Sequence, residues 1–209
     1  MRNACLDERT TSCILFTILI DMKIILASQS SYRKHALDIL GLTYETIPSN
    51  FDESSIRHDD PKKLAQLLSE AKCKKVAEEH TDGIIVSADL FVVYKNKIFE
   101  KPISQDAAIH MLKTFSGNSF DIITGLAVFN CVTGKLLATS ESCEVRFREL
   151  TDFEIENYTS RYPVTKFAGA FDADGLLRFA ERINGNYNFE AALPVDKLVL
   201  FLRKNGITV

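Results

Sequence analysis

Met22-Lys-Ile-Ile-Leu-Ala-Ser-Gln-Ser-Ser-Tyr-Arg-Lys34 is the stretch on which the fold turns. Ile24, Ile25 and Leu26 make a short continuous apolar run of buried-strand type, and Ala36, Leu37 and Leu40 then recur at helical spacing. A strand therefore runs into a helix through a corner rich in hydroxyls. Ser28, Ser30 and Ser31 fall around the helix N-terminus, where unpaired N–H groups and the positive dipole end attract anions, and Arg33 adds a guanidinium on the first turn. An ordinary serine N-cap beside a surface arginine is the plainer alternative.

Around this corner, 209 residues at 46% hydrophobic content suffice for one compact domain, in up to two lobes. A net charge of −3 argues against a broad footprint for duplex nucleic acid, so local cations serve a small anion or solvation. The five cysteines are scattered and form no CxxC pair, as expected of reduced thiols in a cytoplasmic protein. The four histidines show no metal-ligand spacing. The apolar run Cys13 to Ile20 is too short to span a bilayer and no small-residue cleavage site follows it, so no membrane association is expected. Since the first convincing element begins just after Met22, residues 1–21 are expected to be a poorly ordered or misannotated extension, and 22–209 a single domain.

Further along, Thr43 to Ile47 reads as a strand that leads into the acidic loop 50–54. Asp60-Pro61 supplies an N-cap and an N1 proline for a long helix reaching about Glu79. On it Leu64, Leu68, Lys72 and Val76 fall four apart, so a cation interrupts an apolar row and either snorkels or faces a ligand. The run Ile84 to Tyr94 is strongly apolar with Asp89 in its middle, a costly place for a carboxylate without a partner or a metal. Lys95-Asn96-Lys97 turns the chain back, which could bring Lys101 near Asp89, with Glu100 and Lys101 as turn-flanking surface charges the alternative. Gln105 to Phe115 is an amphipathic helix. Ile122 to Phe129 and Leu136 to Phe147 form a meander, and Thr151-Asp-Phe-Glu154 is a capping box. Phe167 to Phe171 and Leu176 to Ile183 read as extended, and Pro194 starts a final helix ending near Asn205-Gly206. The pattern is α/β: a mixed central sheet flanked by helices, in two lobes with a substrate cleft.

By residue type, Ser28, Ser30, Arg33, Glu53, Lys72, Asp89 and Lys101 suit polyphosphate chemistry. Cations and hydroxyls neutralise phosphate oxygens, carboxylates hold Mg²⁺ or Mn²⁺, and one carboxylate can activate water.

The ordered motifs Leu26-Ala-Ser-Gln-Ser30 with Arg33, Asp52-Glu53, Lys72, Ser87-Ala-Asp89, Glu100-Lys-Pro102, Thr124-Gly-Leu-Ala127 and Ala168-Gly-Ala170 resemble the Maf (septum formation inhibitor) family of nucleotide pyrophosphatases. The resemblance runs from Met22 to nearly the C-terminus. It implies an ITPase-like fold and metal-dependent hydrolysis of a nucleoside triphosphate to the monophosphate and pyrophosphate. By position, Asp89 becomes the proton acceptor and, with Glu53, a metal ligand. Ser28, Ser30, Arg33, Lys72 and Lys101 become the phosphate-binding set.

Tyr32, Leu90 and Asp174 occupy the positions that the resemblance assigns to base specificity. The dTTP/UTP branch is expected to carry arginine, threonine and glutamine there, and the 7-methyl-GTP branch tryptophan, often glutamine, and glutamate. Tyr32 and Asp174 are conservative versions of the second pattern, whereas Leu90 departs from both. An aromatic face suits a cationic methylated purine, and a carboxylate accepts from guanine N–H groups. The expectation is therefore a pyrophosphatase acting on 7-methyl-GTP or a related modified nucleotide, in nucleotide-pool house-cleaning, with a dTTP/UTP enzyme as the alternative. Nucleotides are the expected partners, with homodimerisation possible. The family name leaves open a function of another class, inhibition of septum formation by protein binding.

Overall fold

The computed structural model describes residues 22–185 and 192–209; the extension expected at 1–21 lies outside the described residues. A single seven-stranded mixed sheet organises the described chain. Strand β1 (Ile24–Leu26) is fully buried and lies parallel to both β2 (Tyr44–Thr46) and the first part of β3 (Ile84–Tyr94). Beyond β3 the sheet continues antiparallel through β5 (Ser119–Asn130), β6 (Leu136–Phe147) and β7 (Ala180–Asn184). The short β4 (Lys97–Phe99) returns along β3 through a two-residue turn in which Lys95 and Asn96 both take positive φ, the geometry that matches strand twist.

Because β5 lines one edge of β3 from Ile84 to Val93, β1 and β4 must share the other. β1 covers Ile84 to Val86 and β4 covers Val92 to Tyr94. Among the described residues Ser87 to Phe91 are thus left without a strand neighbour on that edge, and Asp89 is at the centre of the opening. The chain leaving β1 enters α1 (Ser31–Ile39) beside it.

Alternation along β3 divides the core. Ile85, Phe91 and Val93 face α2 (Pro61–Ala77), whose Leu64, Ala65, Leu68, Cys73 and Val76 cover that side. On the opposite face, Ile84, Val86 and Ala88 pack under α1 and α6 (Val195–Arg203), forming the first lobe. Val92 on this same face belongs to the second lobe, built from α3 (Gln105–Phe115), α4 (Asp152–Arg161) and α5 (Ala173–Phe179). Phe115 centres that lobe, with the rings of Phe99, Phe120, Phe147 and Phe171 all between 4.6 and 6.4 Å from its own, mostly edge-on.

The sheet and the helices α1 to α4 and α6 fall where the sequence predicts them, and the capping box at Thr151 and Glu154 is formed on both sides. Two segments differ. Phe167 to Phe171, expected to be extended, contains the 3₁₀ turn Ala168–Ala170, directly after another at Val164–Lys166, and in it Gly169 has φ +69°; its added Cβ would lie 2.7 Å from a Val92 methyl, so the chain folds tightly against β3. Leu176 to Ile183, also expected to be extended, begins as helix. Asp172 caps it by accepting from Gly175 N at 2.8 Å, and Leu176 and Phe179 then bury together at i, i+3 spacing before β7 starts.

Candidate active site

Asp89 occupies a face of β3 that a carboxylate would ordinarily avoid: it is 7% exposed, on the α2 side with Ile85, Phe91 and Val93. Its partner is Lys72, whose Nζ lies 2.5 Å from Oδ1 and 2.8 Å from Glu53 Oε1. The break in the apolar row of α2 is thus a buried ammonium held between two carboxylates. Glu53 reaches it from a 3₁₀ turn capped by Asp52, which accepts from Ser54 N at 3.0 Å.

Gly125 brings α2 this close. It stands directly opposite Asp89 in the β3–β5 register, and a Cβ there would lie 2.2 Å from the Ala65 carbonyl oxygen and 2.7 Å from Ser69 Oγ. The helix backbone therefore rests on the bare glycine. Ser87 Oγ, donating to the Ser69 carbonyl, and Cys73 Sγ, donating to Ser87 Oγ at 3.3 Å, tie the same turn of α2 to β3. Burial pushes the Cys73 thiol up to about 12, which leaves it inert as a nucleophile.

The Asp89 carboxyl is held above the usual carboxylate range. Burial is the largest cause and Glu53 adds to it, while Lys72 and Arg33 pull the other way. Oδ1 is committed to Lys72, but Oδ2 is buried with no hydrogen-bond partner among the described residues. A buried acceptor of this kind is costly unless a donor or a cation meets it in use. The donor set, two hard carboxylate oxygens, suits Mg²⁺ or Mn²⁺. Among the described residues no group of three or more acidic, histidine or cysteine side chains gathers, so further ligands to such an ion would come from water and substrate phosphate.

At the first corner, Ser28 is 8% exposed and its Oγ accepts from Ser30 N at 3.2 Å and from Arg33 Nη1 at 3.1 Å. Ser30 takes the N-cap position of α1 but its hydroxyl makes no capping bond, so the helix N-terminus keeps donors available. Arg33 is anchored from the other side of the lobe, its Nε donating to the Ala192 carbonyl at 3.0 Å. Burial pulls its guanidinium below the ordinary arginine range, against the pull of Asp89 and Glu53. The plain capping alternative does not describe this corner, because Ser30 makes no capping bond and the Arg33 guanidinium is held by Ser28 and Ala192.

Lys101 is exposed just past β4 and makes no ion pair with Asp89. The cation that meets Asp89 comes from α2 instead. Leu90, one residue on from Asp89, points to the opposite face and packs against the phenylalanine cluster. Tyr32, on α1, crosses to the second lobe: its hydroxyl donates to Asp172 Oδ2 at 3.0 Å. Asp174 is exposed in the first turn of α5 and close enough to raise the Tyr32 phenol, after burial and Asp172. Asp172 and Tyr158, whose hydroxyl donates to Asp172 Oδ1 at 2.7 Å, are the residues the sequence reading missed. The only available signal was Asp172 preceding an apolar pair at N-cap spacing.

Comparison with known proteins shows the family. The family described as Maf-like protein matches residues 23–205. A dTTP/UTP pyrophosphatase of Desulforamulus reducens is 35% identical over 187 residues, 89% of this chain and 98% of that one. A 7-methyl-GTP pyrophosphatase of Aliivibrio fischeri is 33% identical over 189 residues, 90% and 98% of the two chains. Among solved structures, a HAM1 protein from Coxiella burnetii superposes with a TM-score of 0.47 at 13% identity, covering 88% of this chain and all of that one.

Proposed function

The chain belongs to the Maf family, and from that premise we propose that it is a nucleoside triphosphate pyrophosphatase, cleaving the α–β anhydride to release the monophosphate and pyrophosphate. The observation that carries the reading is Asp89: a buried carboxylate with one oxygen engaged by Lys72 and the other without a partner among the described residues, in the opening of the sheet edge, flanked by the Ser28–Arg33 corner.

In this reading the triphosphate lies against the cations. Arg33 and Lys72 neutralise phosphate oxygens, the hydroxyls of Ser28 and Ser30 and the N-terminus of α1 donate to them, and Lys101 swings in from the rim once substrate is bound. Asp89 Oδ2 accepts a proton from a water whose oxygen attacks the α-phosphorus. The α–β bridging bond breaks, its electron pair leaves on pyrophosphate, and the proton passes from Asp89 to solvent. The burial that raises the carboxyl makes it a stronger base than an exposed aspartate. Asp89 and Glu53 would hold a divalent cation, which when bound neutralises phosphate charge and makes the water more acidic.

The nucleoside side supports 7-methyl-GTP. Tyr32 offers a ring with Asp172 and Asp174 beside it, so that side is acidic and suits a purine carrying positive charge. The names of relatives favour a dTTP/UTP pyrophosphatase equally. A pyrophosphate-release screen with 7-methyl-GTP, GTP, dTTP and UTP, under Mg²⁺ and under Mn²⁺, separates the two. We expect kcat/KM for 7-methyl-GTP to exceed that for dTTP by about 2- to 30-fold, the reach of about 0.5–2 kcal/mol of cation–π contact. Faster turnover of dTTP or UTP would assign the pyrimidine reading, and no pyrophosphate from any of the four would overturn the enzyme.

A further inference from the structure

One carboxylate joins the two lobes on the nucleoside side. Asp172 Oδ2 accepts the Tyr32 hydroxyl from α1 at 3.0 Å, and Asp172 Oδ1 accepts both the Tyr158 hydroxyl from α4 at 2.7 Å and Gly175 N of its own helix at 2.8 Å. The Tyr158 hydroxyl in turn accepts from Asp172 N at 3.2 Å. Both carboxylate oxygens are therefore committed within the protein, in contrast to Asp89. Gly175 makes room for the arrangement, since an added Cβ would lie 2.3 Å from the Tyr158 hydroxyl oxygen. Tyr158 is itself fixed, buried with its ring stacked on Tyr162 at 4.6 Å and edge-on to Phe179 at 5.0 Å. The anchor is thus continuous with the phenylalanine core of the second lobe, while Tyr32 rides on the helix that carries Ser30 and Arg33.

We propose that Asp172 is a positioning residue for the nucleoside: it locks the Tyr32 ring by tethering it to Tyr158, and so sets the distance between the base platform and the phosphate corner. Asp174, on the exposed side of the same turn, is free to meet the base; Asp172 is not. The tether spans the two lobes and brings the cleft to one width before substrate arrives. This rests on the reading above that Tyr32 meets the base, and it predicts that loss of the tether is felt by nucleosides and not by bare phosphates.

Two variants remove the tether with little disturbance. Tyr32→Phe keeps the ring and deletes the hydroxyl. Asp172→Asn can keep its oxygen on Tyr158 and Gly175 N, preserving the cap, while altering the arm to Tyr32. The measurement is the Kd of a non-hydrolysable α,β-methylene triphosphate of the best-bound nucleoside, divided by the Kd of inorganic tripolyphosphate. We expect each variant to raise this ratio about 3- to 10-fold, the scale of one intramolecular hydrogen bond. Asp172→Asn should add less than about 2-fold in the Tyr32→Phe background, because the two changes break the same link. An unmoved ratio in both single variants, or a full Asp172→Asn effect in the absence of the Tyr32 hydroxyl, would reduce Asp172 to a cap for α5. Equal weakening of nucleotide and tripolyphosphate would also overturn the tether. The ratio needs no turnover, so a failed hydrolysis assay with a moved ratio would sink the pyrophosphatase reading alone; absence of nucleotide binding would sink both.

Discussion

Asp89 and Asp172 are two carboxylates on the same cleft with opposite accounts of their lone pairs. Asp172 has each oxygen matched by a phenol, and one of them by a backbone N–H as well. Asp89 has one oxygen matched by Lys72 and the other buried without a partner among the described residues. Satisfied polar groups rigidify their surroundings, and unsatisfied buried ones hold free energy that a ligand can release. In the proposed function the contrast separates a ruler at one end of the cleft from the place of reaction at the other.

The largest test of that contrast is Asp89→Asn. Loss of the base should lower kcat about 10²- to 10⁴-fold. Because the folded carboxyl titrates above its unfolded value, its charged form is disfavoured by folding; the stability it contributes is present at low pH and lost as pH rises through the folded value. An amide imitates the neutral form, so the variant should melt no lower than the parent at neutral pH. A rate within a few-fold of the parent would remove Asp89 from the reaction.

Gly125→Ala attacks the same end from across the sheet. Its methyl meets the Ala65 carbonyl at 2.2 Å, which α2 escapes only by lifting off and carrying Lys72 with it. Overpacking of this sort costs about 1–3 kcal/mol, read as a fall in melting temperature, and should be accompanied by reduced turnover. Normal activity at full stability would show that α2 need not sit so close.

The pH profile isolates a further effect of Lys72→Met, beside the weaker triphosphate binding expected from loss of a phosphate-neutralising cation. With the cation gone, burial acts on Asp89 unopposed by its nearest partner, so the acid limb of kcat/KM moves to higher pH. Lys101→Ala is the control, being exposed and unpaired with Asp89: the limb should stay in place while KM for the triphosphate rises. A limb that shifts equally in both would dissolve the distinction between the buried cation and the rim cation.

Much of this site was legible in the sequence because local patterning exposes anomalies. Asp89 is a single charge in an apolar run, and Lys72 a single charge in an apolar helical row. Each breaks the rule that its neighbours obey, and the break is the signal. Asp172 breaks no rule: an acid before a short helix is an ordinary cap, and its second function depends on hydroxyls 140 and 14 residues away in sequence. The two misjudged segments have the same origin. Phe167 to Phe171 and Leu176 to Ile183 are apolar enough to be strand or helix, and only packing against Val92 and the phenylalanine core chooses.

By itself, then, the order of residues determined the strand–corner–helix start, the mixed α/β architecture, and the identity of the isolated charges, because periodicity and burial cost act within a few residues. Which charges meet was decided in three dimensions. Lys72 rather than Lys101 reaches Asp89 because Gly125 admits α2 to the sheet, and Tyr32 finds Asp172 rather than Asp174 because α5 turns one acid inward as its cap and the other out to solvent. Side-chain partners separated by long stretches of chain are selected by the geometry of packing, to which a local pattern carries no pointer.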